Sequence, residues 1–252
     1  MIEVLIGLGG GLLIGSTGIG SGSLIAPLLI LAGYSPATAV GAGLVSLVVS
    51  KLTATELHRQ MGHLPGRRAL PLVIGGLGGV ALTALGTRFV SRWDVQFETI
   101  MKLALGVGLL GVAATLLIPR SAGSQLRRAS PFTGHPVLLL SLGAGVALVV
   151  ALTSAGAGGL LIPALLIVTH WEPAELAAVS NFYGTAVGAA SILLYVGYHS
   201  LNFPLIGLVL IGLLPGVLLG TRLSRRISRP WLTRGAGVVA GYLGCALLCS
   251  RF

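Results

Sequence analysis

The sequence predicts an all-α polytopic membrane protein made of two inverted repeats, each a broken helical hairpin plus three transmembrane helices. Hydrophobic residues make up 54% of the 252-residue chain, charged residues only 9%, and the mean hydropathy is +0.97. Aliphatic stretches that approach the roughly 20 residues of a membrane-spanning helix recur along the whole chain. The second half also repeats features of the first half in the same order.

The first element is a helical unit over residues 2–32 that a glycine- and hydroxyl-rich stretch interrupts. The interruption, GSTGIGSG at 15–22, precedes an aliphatic run that contains Pro27. TSAGAGGLLIPALLIV at 153–168 repeats this pattern, so a second broken unit is expected over 137–169. The two helical pieces of a broken unit have about 14–17 and 10 residues, and the shorter piece covers only about half of a 30 Å hydrocarbon core. Each unit is therefore predicted to return to the side from which it started.

Three unbroken spans are expected after each broken unit. They are 36–56, 69–88 and 99–118 in the first half, and 174–196, 203–221 and 231–250 in the second half. Two further pairs of segments match: YSPATAV at 34–40 with WEPAELA at 171–177, and LGTRFVSR at 85–92 with LGTRLSRR at 219–226. The predicted organisation is a first transmembrane repeat (1–118), a basic cytoplasmic linker (119–135) and a second transmembrane repeat (136–252).

The arginines of the loops predict the orientation of the chain. Loop 57–68, the linker and loop 222–230 are rich in arginine, and the positive-inside rule places all three in the cytoplasm. Loop 88–98 then lies outside although it is the repeat partner of 222–230, so the halves are inverted and both termini are outside. Glu3 stands where a signal peptide carries basic residues, which favours a retained segment in the inner (plasma) membrane.

The two breaks predict a binding site for a small anion. Inverted repeats with broken helices are typical of secondary transporters, whose half-helix ends meet near the midplane. The helices that restart at Ser23 and Leu160 are expected to present free N–H groups and a positive dipole end. The predicted substrate-binding residues at the breaks are Thr17, Gly18, Gly20, Ser21, Gly22, Ser23, Thr153, Ser154, Gly156, Gly158 and Gly159. The alternative is that small residues only allow close helix packing, which is the role expected of Gly212, Gly216 and Gly220.

Polar residues inside the spans are further candidates for the same site. Ser180, Asn181 and Tyr183 carry groups that cost energy in lipid without partners, although helix–helix hydrogen bonds would also explain them. Lys51 is interpreted first as snorkelling to the cytoplasmic interface, and second as facing the cavity and attracting the anion. No lysine or arginine adjoins either break in sequence. Recognition is therefore expected to rest on the backbone turns and not on a buried cation.

The remaining residues argue against catalysis and against a cofactor. All six carboxylates fall at segment ends or in loops, so no intramembrane acid–base pair is visible. His58 and His63 have the wrong spacing for a metal, and GIGSG lacks the dinucleotide-binding spacing. The basic residues are scattered, which argues against nucleic acid. The expected partners are a small anionic substrate and the lipid bilayer, with a homo-oligomer left open.

Several quoted segments resemble the TauE/SafE family of sulfite exporter-like permeases, also called the TSUP transporters. These are GIGSGSLIAPLLILAGYSPATAVGAGLVSLVVS, HRQMGHLPGRRALPLVIGGLGG, LGTRF and the degenerate second copy of the first motif. The resemblance covers nearly the whole chain in order, with Ala157 inside the second motif as a departure. It implies transport of small sulfur-containing or organic anions such as sulfite, thiosulfate, sulfoacetate or other sulfonates. A non-transporting membrane subunit or assembly factor is the alternative from another class.

Overall fold

The computed structural model describes residues 1–17, 22–60, 67–91, 97–117, 135–198, 201–223 and 229–249. Within these ranges the chain forms ten α-helices and no strand. They are α1 Ile2–Thr17, α2 Gly22–Leu31, α3 Pro36–Gln60, α4 Leu70–Ser91, α5 Phe97–Leu117, α6 Pro136–Thr153, α7 Leu161–Val168, α8 Pro173–Tyr198, α9 Phe203–Leu223 and α10 Arg229–Cys249. A 3-10 turn, Arg67–Ala69, precedes α4.

Seven of the described helices are long and apolar enough to cross a membrane, which confirms the prediction of an all-α polytopic membrane protein. They are the helices α3 to α6 and α8 to α10. The exceptions, α1, α2 and α7, all belong to the two broken units. Prolines at the starts of α3, α6 and α8 suit the first helical turn, where an N–H group has no intrahelical acceptor.

The pieces of the second broken unit differ in length from the prediction. Helix α6 has 18 residues and α7 has only eight, because a tight turn occupies residues 157–160 before α7 begins. At 1.5 Å per residue α7 is about 12 Å long, less than half of the hydrocarbon core. In the first unit α1 has 16 residues and α2 has 10, close to the expected values.

Glycines bring the first helix of each broken unit into backbone contact with a helix of the other half. Along α1 and α9, a Cβ added to any of a series of glycines would strike a backbone carbonyl of the facing helix. These are Gly7, Gly11 and Gly15 on α1, and Gly212, Gly216 and Gly220 on α9. The packing role predicted for the three α9 glycines is confirmed, as is usual where helices lack a hydrophobic drive to associate.

The same contact recurs between α6 and α4, where Gly75, Gly79 and Gly143 face carbonyls of the opposing helix. In the repeat that the sequence predicts, α6 corresponds to α1, and α4 corresponds to α9. The other large contacts, α3 with α8 and α5 with α10, also join helices that are predicted to be equivalent. The helices of the two predicted halves therefore pack against one another, with α3 and α8 in contact.

Candidate functional site

The second break is a buried irregular segment between α6 and α7. Every residue from 153 to 159 is buried, although the segment interrupts a helix. Ser154 has φ 56° and Gly156 has φ +105°, so the backbone turns twice through the left-handed region. The Thr153 hydroxyl donates to the carbonyl of Val149 and accepts the N–H of Ala155 at 3.1 Å. Thr153 thus caps the end of α6, and its hydroxyl proton is engaged within the chain.

Helical hydrogen bonding restarts at Gly156, four residues before the expected position. The N–H groups of Leu160 and Leu161 both donate to the Gly156 carbonyl, at 3.1 and 3.3 Å, and that of Ile162 donates to the Gly158 carbonyl at 3.4 Å. The expectation that the helix beginning near Leu160 presents free N–H groups there is therefore wrong. This hydrogen bonding begins at the residue whose backbone lies in the left-handed region, Gly156.

The orphan donors are instead the N–H groups of the four break residues 156–159. Among the residues that the structure describes, none of these N–H groups has a hydrogen-bond acceptor. They occupy the N-terminal positions at which a helix leaves its first donors unpaired. Because the segment is buried, water at an open protein surface does not serve them. Successive free N–H groups in turn conformations line the anion-binding concavities of other proteins.

The carbonyl groups of the same four residues are all engaged. Those of Gly156 and Gly158 accept from the first turn of α7, as described above. The hydroxyl of Ser180 on α8 donates to the Ala157 carbonyl at 2.8 Å. The hydroxyl of Thr115 on α5 shares its one proton between the Gly159 carbonyl at 2.9 Å and the Val112 carbonyl at 2.7 Å. Ser180 therefore positions the break. Thr115 is a functional candidate that was not predicted from the sequence, although it carries a hydroxyl inside an apolar span, as Ser180 does.

Lys51 lies deep in the α3–α8 interface beside the second break. Its side chain is only 3% exposed, and its Nζ donates to the Asn181 Oδ1 at 2.9 Å. A Cβ added to Gly184 would lie 3.3 Å from the Ala157 Cβ and 3.3 Å from the Lys51 Cγ, so the break and the lysine stem share one small-residue gap. The snorkelling interpretation is wrong. No lysine or arginine adjoins either break in sequence, but the side chain of Lys51 adjoins the second break in space.

The first half reaches the second break through α3 and α2. A Cβ added to Gly43 on α3 would contact the side chain of Ser154 and lie 3.3 Å from the Ala26 Cβ of α2. Ser23, near the start of α2, is 2% exposed. The short helix of the first unit therefore packs close to the turn of the second unit.

The remaining predicted residues belong to the first break or to α8. Thr17 ends α1 and Gly22 begins α2, whereas Gly18, Gly20 and Ser21 lie outside the described residues. Tyr183 is buried, and its hydroxyl donates to the Gly143 carbonyl on α6 at 2.6 Å. Its hydroxyl thus makes a helix–helix hydrogen bond, which the sequence left open as the alternative.

A comparison with known families decides the class of the protein. The family model described as "Sulfite exporter TauE/SafE" matches residues 3–247, nearly the whole chain. The chain belongs to the sulfite exporter TauE/SafE family. It is therefore a membrane transporter, and the resemblance seen in the quoted motifs is confirmed.

Two relatives of this TauE/SafE protein carry names of the same class. The chain is 28% identical to "Probable membrane transporter protein YjnA" of Bacillus subtilis (strain 168) over 229 residues, which cover 89% of this chain and 90% of the relative. It is also 28% identical to "Probable membrane transporter protein" of Xylella fastidiosa (strain Temecula1) over 236 residues, which cover 89% of this chain and 85% of the relative. No solved structure was found to match the chain.

Proposed function

We propose that this protein transports small sulfur-containing or organic anions, such as sulfite, thiosulfate, sulfoacetate or other sulfonates, across the inner (plasma) membrane. The observation that carries the proposal is the hydrogen-bonding state of the second break. Its four carbonyls are engaged, whereas its four N–H groups have no acceptor in the described part of the chain. The buried side chain of Lys51 passes beside Ala157 of the same segment.

This arrangement favours an anion over a cation or a neutral solute. A cation would need carbonyl or carboxylate oxygens, and the break carbonyls already accept hydrogen bonds. Neutral polar solutes usually need both donors and acceptors. The free N–H groups of 156–159 are all donors at the positive end of α7, and the ammonium of Lys51, whose stem passes beside Ala157, is a donor as well. An oxyanion with several acceptor oxygens satisfies them together.

The second element of the proposal is that the two halves, 1–118 and 136–252, are inverted repeats joined by a cytoplasmic linker. The exchange of equivalent helices supports it: α1 packs on α9 and α6 packs on α4. In this arrangement α2 approaches Ser154 from the first half, since Ala26 and Ser154 both lie beside Gly43. Rocking of the halves about α3 and α8 would then alternate access to one shared site.

Export is the direction that the membrane potential favours for such a carrier. An anion that leaves a cell with a negative interior gains about 2.3 kcal/mol per charge per 100 mV. The carboxylates of the described helices lie near helix ends, as Glu3, Glu56 and Glu175 show, so no buried carboxylate is placed to relay protons with the anion. We therefore propose an uncoupled, electrogenic step.

Reconstitution of the purified protein alone tests this function. Liposomes with a set potassium diffusion potential are assayed for uptake of labelled sulfite, thiosulfate, sulfoacetate and methanesulfonate, with a neutral solute and a monovalent cation as controls. At least one anion should cross saturably, follow the voltage and need no pH gradient. If no anion moves through folded protein, the chain is a non-transporting membrane subunit. A strict requirement for a proton gradient contradicts uncoupled export.

A further inference from the structure

Lys51 carries a buried charge that the described protein does not neutralise. Within the described ranges Lys51 forms no ion pair, and its one hydrogen-bond acceptor is the neutral amide of Asn181. An ammonium group has three donors, so two are left for another acceptor. A buried charge is costly unless it is paired and hydrogen-bonded, and a partner of the opposite charge offsets that cost when further hydrogen bonds satisfy both groups.

Helix α8 holds the ammonium of Lys51, and the lysine stem passes beside the second break. Asn181 and Gly184 lie one helical turn apart on α8, and both contact Lys51. Ser180, next to Asn181, holds the Ala157 carbonyl, so one surface of α8 fixes both the ammonium and the break. Gly184 has no side chain, and this lets the lysine stem and Ala157 occupy neighbouring positions.

From this juxtaposition we infer that Lys51 is the counter-charge of the transported anion and that, among the proposed substrates, the site selects the singly charged oxyanions over the dianions thiosulfate and sulfoacetate. The inference rests on the proposed function. One ammonium and one monoanion form a neutral pair, and the N–H groups of 156–159 bind the remaining oxygens without adding a formal charge. A dianion of the same shape leaves one negative charge uncompensated in a low-dielectric interior.

A comparison of methanesulfonate with sulfate isolates the effect of the anion's charge, because both present a tetrahedral sulfur with several oxygens. In liposomes, the wild-type protein should transport methanesulfonate with a kcat/KM at least about tenfold above that of sulfate. Lys51→Met should lose at least about tenfold for methanesulfonate, and Lys51→Arg should retain most of the activity because it keeps the charge. Lys102→Met, which removes a lysine from α5, is the matched control and should transport like the wild type.

Binding in detergent provides a readout that does not depend on transport. Methanesulfonate should raise the thermal unfolding temperature of the wild type, of Lys51→Arg and of Lys102→Met, but not that of Lys51→Met or Lys51→Gln. Sulfate should have a much smaller effect on all of them. If the lysine variants fail to fold, the ratio of methanesulfonate to sulfate transport by the wild-type protein decides whether the site selects a single charge.

The outcomes separate this inference from the proposed function. Transport of both anions at equal rates, or unchanged methanesulfonate transport in Lys51→Met, overturns the role of Lys51 as counter-charge but not the proposed transport function. Absence of any anion flux overturns the transporter. In that case Lys51-dependent stabilisation by methanesulfonate still supports a monoanion site, and its absence overturns that inference as well.

Discussion

Gly156 holds the backbone of the second break in a conformation that a residue with a side chain rarely adopts. Its φ of +105° lies where a residue with a side chain is strained, and a Cβ there would also lie 3.1 Å from the Leu160 Cδ1. The leucine tip can move, so the backbone conformation sets the cost. For alanine this conformation costs about 1–3 kcal/mol. A Gly156→Ala chain can relieve that strain only by rotating the peptide groups that orient the four N–H donors.

The expected result is a protein that still folds but transports anions at least about tenfold less well, since tenfold corresponds to about 1.4 kcal/mol. Gly145→Ala in α6 is the matched control. A Cβ at Gly145 meets nothing within 4 Å, and alanine in a helix interior should add about 0.5–1 kcal/mol of stability. Size-exclusion profiles and thermal unfolding report folding, and liposome flux reports function. Flux of Gly156→Ala within twofold of the wild type would refute the role of this turn.

Three further predictions concern packing and topology. Tyr183→Phe removes the hydrogen bond to α6 and should lower stability by about 1 kcal/mol without changing anion affinity; a large affinity loss would place this hydroxyl in the site. Gly216→Leu forces a side chain against the α1 backbone and should cost at least about 1–3 kcal/mol, whereas Gly207→Leu faces open space and should fold normally. In a chain with serines for its two cysteines, Gln125→Cys and Ile227→Cys should label only from the cytoplasm, and labelling from outside contradicts the inverted topology.

The helices could be predicted closely because bilayer thickness fixes the length of an apolar segment. The expected span 36–56 became Pro36–Gln60, and 203–221 became Phe203–Leu223. The repeat of the glycine-rich motif likewise located the break before α7 within one residue. These features depend on local composition, and a single sequence contains that information.

The details of the site could not be predicted because they depend on contacts between distant residues. Lys51 and Asn181 are separated by 130 positions, and nothing near either residue indicates that they pair. The same holds for Thr115 and the carbonyl of Gly159, 44 positions apart. The start of helical hydrogen bonding at Gly156 coincides with a left-handed backbone conformation, which the glycine permits but does not dictate.

The location of a bound anion tests the central claim most directly. Bromomethanesulfonate is a monoanionic sulfonate whose bromine can be located by anomalous diffraction in crystals of the wild-type protein. The account predicts one bromine peak next to the sulfonate, with the sulfonate oxygens within hydrogen-bond distance of the N–H groups of 156–159 and of the Lys51 Nζ. The same crystals of Lys51→Met should lack the peak. A sulfonate bound elsewhere in the bundle, with the second break unoccupied, would contradict the account.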